Sequence, residues 1–67
     1  MYIIPNEKGE KVETDEAGLR KYALKFSPEK GRKAFKQDFR LLNAVRTKPI
    51  SEVFELLEKQ GADVQQI

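Results

Sequence analysis

Apolar residues recur at helical spacing through most of the sequence. Positions i, i+3, i+4 and i+7 are apolar at Leu19, Tyr22, Ala23 and Phe26, and again at Ile50, Val53, Phe54 and Leu57. Between these two runs, one side of a helical wheel holds Ala34, Phe35, Phe39, Leu41, Leu42 and Val45. Such spacing is typical of amphipathic helices that bury one face. The pattern therefore predicts three helices, over residues 15–26, 28–46 and 49–60.

The residues at the helix boundaries agree with this division. Thr14, followed by two acids, suits the start of the first helix, because a hydroxyl caps free amides and carboxylates favour the positive end of the dipole. The run Ser27-Pro28-Glu29 predicts the start of the second helix, which would be roughly 28 Å long. Gly61 is placed to end the third helix in a left-handed cap.

The two ends of the chain follow other patterns. Good strand formers open the sequence at Tyr2, Ile3 and Ile4. Gly9 supplies a positive φ for a turn, and the return strand has Val12 as its anchor. Two alternatives remain for residues 62–67: a frayed tail, or docking of Val64 and Ile67 on the hairpin.

Length and composition limit the fold to one small domain. A chain of 67 residues forms one domain at most, and its 39% hydrophobic content is too high for a wholly disordered protein. We therefore expect a single domain over residues 1–67 with a mainly α, small α+β fold. It would consist of a β-hairpin over residues 2–13 followed by a three-helix bundle, and an isolated hairpin of this kind must lean on the helices.

Several kinds of chemistry are excluded by the residue types that are missing. The chain has no Cys and no His, which removes thiolate ligands, cysteine nucleophiles and the side chain best suited to proton transfer near neutral pH. No phosphate-binding loop, dinucleotide fingerprint, zinc-protease motif or nucleophile elbow occurs in the sequence. We expect no enzymatic activity, no metal site, no cofactor and no small-molecule substrate.

The N-terminal apolar run is short. It extends from Met1 to Ile4 and stops at Pro5, too early for a signal-peptide core or a membrane span. We therefore expect a cytoplasmic protein with no membrane partner.

Charge is strongly segregated along the chain, although the net charge is only +2. Residues 1–19 carry −3, residues 20–48 carry +8, and residues 49–67 carry −3. On the predicted second helix, an arc of about 100° holds Arg32, Lys33, Lys36, Arg40 and Asn43. Lys21 and Lys25 of the first helix would widen this arc into a surface that could follow phosphates. The alternative is an ordinary solvated outer face.

Asp38 lies among apolar positions of the same wheel. A carboxylate there is costly unless it is paired, so we expect a structural contact with the Tyr22 hydroxyl, with Arg46 or with a loop amide. A catalytic or ion-binding role would need a second carboxylate, which the sequence does not place there.

The aromatic residues are expected in the core rather than on a base-stacking surface. Five of the six, Tyr22, Phe26, Phe35, Phe39 and Phe54, lie on apolar helical faces. Tyr2, at the start of a strand, is the one expected to be exposed.

A helix-turn-helix does not fit the sequence. The turn between the first and second helices is too tight, and pairing the second with the third would present Glu52, Glu55 and Glu58 to phosphates. The acidic third helix is better interpreted as a surface that faces a protein or solvent.

Two functional hypotheses remain. The first is a small regulator that binds DNA or RNA, or a protein of a nucleic-acid machine such as a transcription complex, through the basic face. The alternative is a protein-binding inhibitor or adaptor that uses its segregated charge without touching nucleic acid. Leu24 and Leu56 fall off the main apolar stripes, which leaves a monomer or a weak homodimer as the expected state.

Overall fold

The structure, a computed structural model, describes residues 1–28 and 34–67 of the chain. Along the chain, the elements are β1 (Tyr2–Pro5), β2 (Lys11–Thr14), α1 (Glu16–Lys25), a 3₁₀ turn (Phe35–Gln37), α2 (Phe39–Thr47), α3 (Ile50–Lys59) and β3 (Gln65–Gln66). The three helices contact one another pairwise, and α1 also packs on β1 and β2. The small α+β class is confirmed, while the three-helix bundle stays a prediction.

The N-terminal hairpin forms as the sequence predicts. Strands β1 and β2 are antiparallel with Ile4 opposite Val12. The side-chain oxygen of Asn6 accepts the amides of Lys8 and Glu10, each at 2.9 Å, and Gly9 has φ of 82°. Val12 is nevertheless exposed, so the hairpin is attached to the core through β1, whose Ile4 packs against it.

The C-terminal residues complete the sheet rather than fray. Strand β3 pairs antiparallel with β1, which gives the strand order β2-β1-β3. Val64 is buried, and the Ile67 amide donates to the Met1 carbonyl at 3.0 Å. The frayed-tail alternative is therefore wrong, although the Ile67 side chain stays 66% exposed.

Residues from all three helices and the 3₁₀ turn form the centre of the core. The largest fully buried side chains are Phe35, Leu19, Leu57, Val45 and Val53. Tyr2 is only 6% exposed, with its ring 5.7 Å from that of Phe54. The expected exposure of Tyr2 is wrong because β1 is the central strand, and its first residue lies against α3. Leu24 and Leu56 also pack against the core and are partly buried.

Helices α1 and α3 begin and end close to the predicted positions. Asp15, rather than Thr14, caps α1, because its carboxylate accepts the Gly18 amide at 2.8 Å. Helix α3 ends before Gly61, whose φ of 86° confirms the predicted left-handed conformation. The Ala62 amide then donates back to the Leu57 carbonyl at 2.9 Å.

The predicted second helix over residues 28–46 is wrong at residues 34–38. Ala34 and Asp38 have extended backbones and flank the 3₁₀ turn, so the α-helix begins only at Phe39. With nine residues, α2 is about 13 Å long, roughly half the predicted length. The Gln37 side chain accepts the Ala34 amide at 3.0 Å, which stabilises the turn in place of a longer helix. Residues 29–33 lie outside the described part of the chain.

Candidate nucleic-acid interface

Asp38 fixes the point at which α2 begins. Its carboxylate accepts the Arg40 amide at 2.9 Å, and its own carbonyl accepts the Leu42 amide at 2.8 Å. Asp favours such positions because its short side chain satisfies a backbone amide that has no helical partner. The expectation of a structural contact is confirmed, although the partner is the Arg40 amide in the first turn of α2 and not the Tyr22 hydroxyl, Arg46 or a loop amide. Its supposed place on an apolar helical face is wrong, because Asp38 ends the 3₁₀ turn and precedes α2.

The exposed side of α2 carries cations and an aromatic ring. Its exposed residues include Phe39, Arg40, Asn43 and Arg46, which we call the α2 outer face. At about 100° per residue they fall within an arc of roughly 120°, and Arg46 lies roughly 10 Å along the axis from Phe39. Lys36, also exposed, precedes this face in the 3₁₀ turn.

The cations on this side are not neutralised by neighbouring acids. Within residues 1–28 and 34–67, the side chains of Lys36, Arg40 and Arg46 make no ion pair. The acid nearest in sequence to Lys36 and Arg40 is Asp38, whose carboxylate is already bonded to a backbone amide. Positive charge at the start of α2 is therefore available to an external partner.

Helix α2 is held against α1 by a cation that the sequence did not single out. The Arg20 guanidinium on α1 donates a hydrogen bond to the Val45 carbonyl. This carbonyl belongs to the last turn of α2, where carbonyls lack intrahelical donors and a positive charge suits the dipole. Arg20 thus positions the α2 outer face and takes no part in it.

Lys21 and Lys25 lie in a different place from the α2 outer face. They line a groove of about 690 Å³ between α1 and the hairpin turn, together with Lys8, Glu7 and Glu10. Among the described residues that line it, none belongs to the 3₁₀ turn or α2. The groove carries both signs of charge, so it is a poorer match to a polyanion than the α2 outer face.

Tyr22 lies at the inner wall of the same groove. Burial raises the pKa of its phenol above the ordinary value of 10.0, and the charge of Asp63 raises it further. The hydroxyl is therefore protonated throughout the physiological range and is available there as a hydrogen-bond donor.

The continuous basic face that the sequence predicts is not formed as one helical stripe. Lys36 precedes the helix, Arg40 and Asn43 lie on it, and Arg32 and Lys33 lie outside the described residues. Two members of the α2 outer face, Phe39 and Arg46, were missed. For Phe39 the signal is Asp38 as a helix cap, because a helix that begins at residue 39 need not share the buried face of Phe35. For Arg46 the signal is its charge, which keeps the side chain out of the interior.

The acidic residues of α3 are exposed, as expected for a solvent-facing or protein-facing surface. Glu52, Glu55 and Glu58 are all accessible. The first two also line a groove of about 380 Å³ with Lys48 and Lys59, so the surface between α2 and α3 has mixed charge.

No protein-family model, curated protein or solved structure matches this chain. In the described residues, no three or more Asp or Glu side chains are grouped so as to hold a metal ion. No helix described here has the length and apolar character needed to cross a lipid bilayer.

Proposed function

We propose that this chain is a non-enzymatic regulatory protein that binds nucleic acid, or a machine bound to nucleic acid such as a transcription complex. The interface is the basic surface formed by Lys36 and the α2 outer face, held on the helices packed as a three-helix bundle. The observation that carries the proposal is the exposure of Lys36, Arg40 and Arg46 without ion pairs in the described part of the chain.

Phosphate is the partner that best matches this surface. Residues 30–48 contain seven Lys and Arg but one acid, Asp38, whose carboxylate caps a helix. Cations crowded in this way gain little from each other and repel when brought close. A polyanion relieves that repulsion and releases counterions as it binds, while the Asn43 amide can donate a further hydrogen bond to a phosphate oxygen.

The salt dependence of binding tests the electrostatic part of the proposal. Labelled DNA and RNA, single-stranded and duplex, would be titrated with the protein between about 50 and 300 mM salt, with fluorescence anisotropy as the readout. With about four phosphate contacts, log affinity should fall with log salt at a slope near −4 for duplex and near −3 for single strands. The charge reversal Lys36→Glu with Arg40→Glu should reduce the slope by about two and weaken binding at low salt at least about tenfold.

A matched reversal separates this surface from the effect of net charge. Lys8→Glu with Lys11→Glu changes the net charge equally but lies in the hairpin, and Lys11 loses only an exposed pair with Asp63 at 3.4 Å. That variant should keep most of the affinity. Equal losses in both variants, or no binding of any nucleic acid at about 50 mM salt, would contradict the proposal.

A second measurement tests the protein-binding alternative. A pull-down with the full chain, with and without nuclease, would compare the parent with the Lys36→Glu and Arg40→Glu variant. The decisive result is that the parent and the variant both retain a protein partner after nuclease treatment while the parent binds no nucleic acid. That result would replace the proposed function with that of an adaptor or inhibitor.

A further inference from the structure

Phe39 is the aromatic residue that the fold does not use. Its side chain is 81% exposed, whereas the other five aromatic rings form close pairs. These pairs join Tyr2 with Phe54, Tyr22 with Phe26, and Phe26 with the fully buried Phe35. A bare phenyl ring in water costs solvation free energy and contributes nothing to the core.

The position of this ring is set by its neighbours in the chain. Asp38 caps α2 immediately before it, so Phe39 is the first helical residue and is held by a formed helix. On the helical wheel, Asn43 lies about 40° away and Arg40 about 100° away. The ring therefore lies on the same side of α2 as the Asn43 amide, at the end of the helix where Lys36 and Arg40 also lie.

We propose that Phe39 is a stacking platform for an unpaired base, and hence that the nucleic acid bound by this surface is single-stranded. The inference rests on the proposed function and specifies its ligand. An aromatic face beside cations that contact the backbone is the arrangement by which proteins bind single strands, because every base offers a π face.

Duplex is the poorer match to the same geometry. In a duplex the base faces are already stacked, and inserting a phenyl ring between them costs unstacking energy. A single strand can place its phosphates near Arg40 and Arg46 and turn one base onto Phe39 at no such cost.

Substitution of Phe39 tests the stacking contact by affinity. Phe39→Ala should weaken binding of a labelled single strand by about 5- to 150-fold, leave duplex binding unchanged and leave the salt slope unchanged. Phe39→Trp should keep or increase the single-strand affinity. Because the ring is 81% exposed, both variants should unfold at the same urea concentration as the parent.

Fluorescence gives a direct readout of stacking. The chain contains no Trp, so Phe39→Trp introduces a single indole at the proposed contact. Addition of an oligonucleotide single strand should quench this emission in proportion to binding. A matched control is Ile67→Trp, which places an indole on the similarly exposed Ile67 beside β1, where no quenching is expected.

The outcomes separate the two proposals. Parent protein that binds no nucleic acid overturns the proposed function and the stacking contact together. If the parent binds nucleic acid and Phe39→Ala binds single strands equally tightly, only the stacking contact is overturned. Equal losses on single strands and duplex overturn the single-strand preference.

Discussion

The break at Asp38 separates two aromatic residues that a continuous helix would place on one face. Asp38 satisfies the Arg40 amide and has a non-helical backbone, so the helix begins one residue later. Had the helix continued from residue 28, Phe39 would share the apolar face with Phe35. Instead Phe35 is fully buried and Phe39 is exposed, four residues apart.

Removal of this cap should destabilise the protein measurably. Asp38→Ala leaves the Arg40 amide without its partner and should lower the free energy of unfolding by about 1 kcal/mol, within a range of roughly 0.5–2. Asp38→Asn keeps an acceptor oxygen and should stay within about 0.5 kcal/mol of the parent. Urea unfolding followed by circular dichroism measures both.

The exposed Glu58 on α3 provides the control for loss of a carboxylate. Glu58→Ala should change the free energy of unfolding by less than about 0.5 kcal/mol. If Asp38→Ala is as stable as Glu58→Ala, the cap does not hold the start of α2.

At the scale of elements, one contact between helices stands out. Arg20 reaches from α1 to the Val45 carbonyl in the last turn of α2, and Val45 itself is buried. The guanidinium thus replaces the donor that the helix cannot supply and fixes the two helices to each other. The direction in which the α2 outer face points depends on this hydrogen bond.

Arg20→Ala should therefore cost more than the loss of an ordinary surface residue. A hydrogen bond from a charged donor to a half-buried carbonyl contributes about 1.5–3 kcal/mol, and the free energy of unfolding should fall by that amount. Lys21→Ala, the exposed neighbour, should change it by less than about 0.5 kcal/mol. Chemical unfolding of the two variants measures this difference. Equal stability of the two would mean that the hydrogen bond from Arg20 to the Val45 carbonyl is unimportant.

Local signals in the sequence were enough to predict most elements. The hairpin turn at Asn6 and Gly9, α1, and α3 with Gly61 after it all follow from residues within a few positions of each boundary. The apolar spacing does not predict the start of α2, because it continues across Asp38 and hides the capping signal there. Strand β3 was missed because Gln65 and Gln66 show no strand pattern, and their pairing comes from the open edge of β1.

The sequence predicts which polar residues of the candidate site are exposed, but it does not predict how they are arranged in space. The exposure of Lys36, Arg40 and Asn43 agrees with the wheel, because cations avoid the interior wherever the helix starts. The separation of Lys21 and Lys25 from them depends on how α1 packs against the hairpin, which no local pattern encodes.

For the whole molecule, the sheet brings the two ends of the sequence together. Strand β1 lies between β2 and β3, so residues from the first and last thirds of the chain, each with net charge −3, share one sheet. The middle of the chain, with net charge +8, supplies the α2 outer face. The charge segregation of the sequence is not fully kept in space, because Glu52 and Glu55 of α3 share a groove with Lys48, and Lys21 and Lys25 share one with Glu7 and Glu10.

Deletion of residues 65–67 should show how much the third strand contributes. It removes the pairing with Tyr2 and Ile3 and the bond from the Ile67 amide to Met1. The expected loss is about 1–3 kcal/mol, from a few backbone hydrogen bonds at about 1 kcal/mol each. For a domain of this size each kcal/mol lowers Tm by about 4–8 °C.

A variant that changes only side chains separates the effect of the backbone pairing of β3 from the effect of its glutamine side chains. Gln65→Ala with Gln66→Ala keeps the backbone pairing, and both side chains are exposed, so its Tm should stay close to that of the parent. A truncated chain that melts with the parent would mean that β1 is stable with a single partner strand.

The Ile67 amide donates a hydrogen bond to the Met1 carbonyl at 3.0 Å, so Met1 and Ile67 lie side by side. The order of elements along the chain could therefore be changed without changing the fold. A short glycine linker could join the two ends, and new ends could be opened in the exposed turn at residues 7–9, between β1 and β2. Such a circular permutant would start with β2 and finish with β1, whose strand would then follow β3 directly as a hairpin. The central strand would be the last to be synthesised, while the α2 outer face would keep its place.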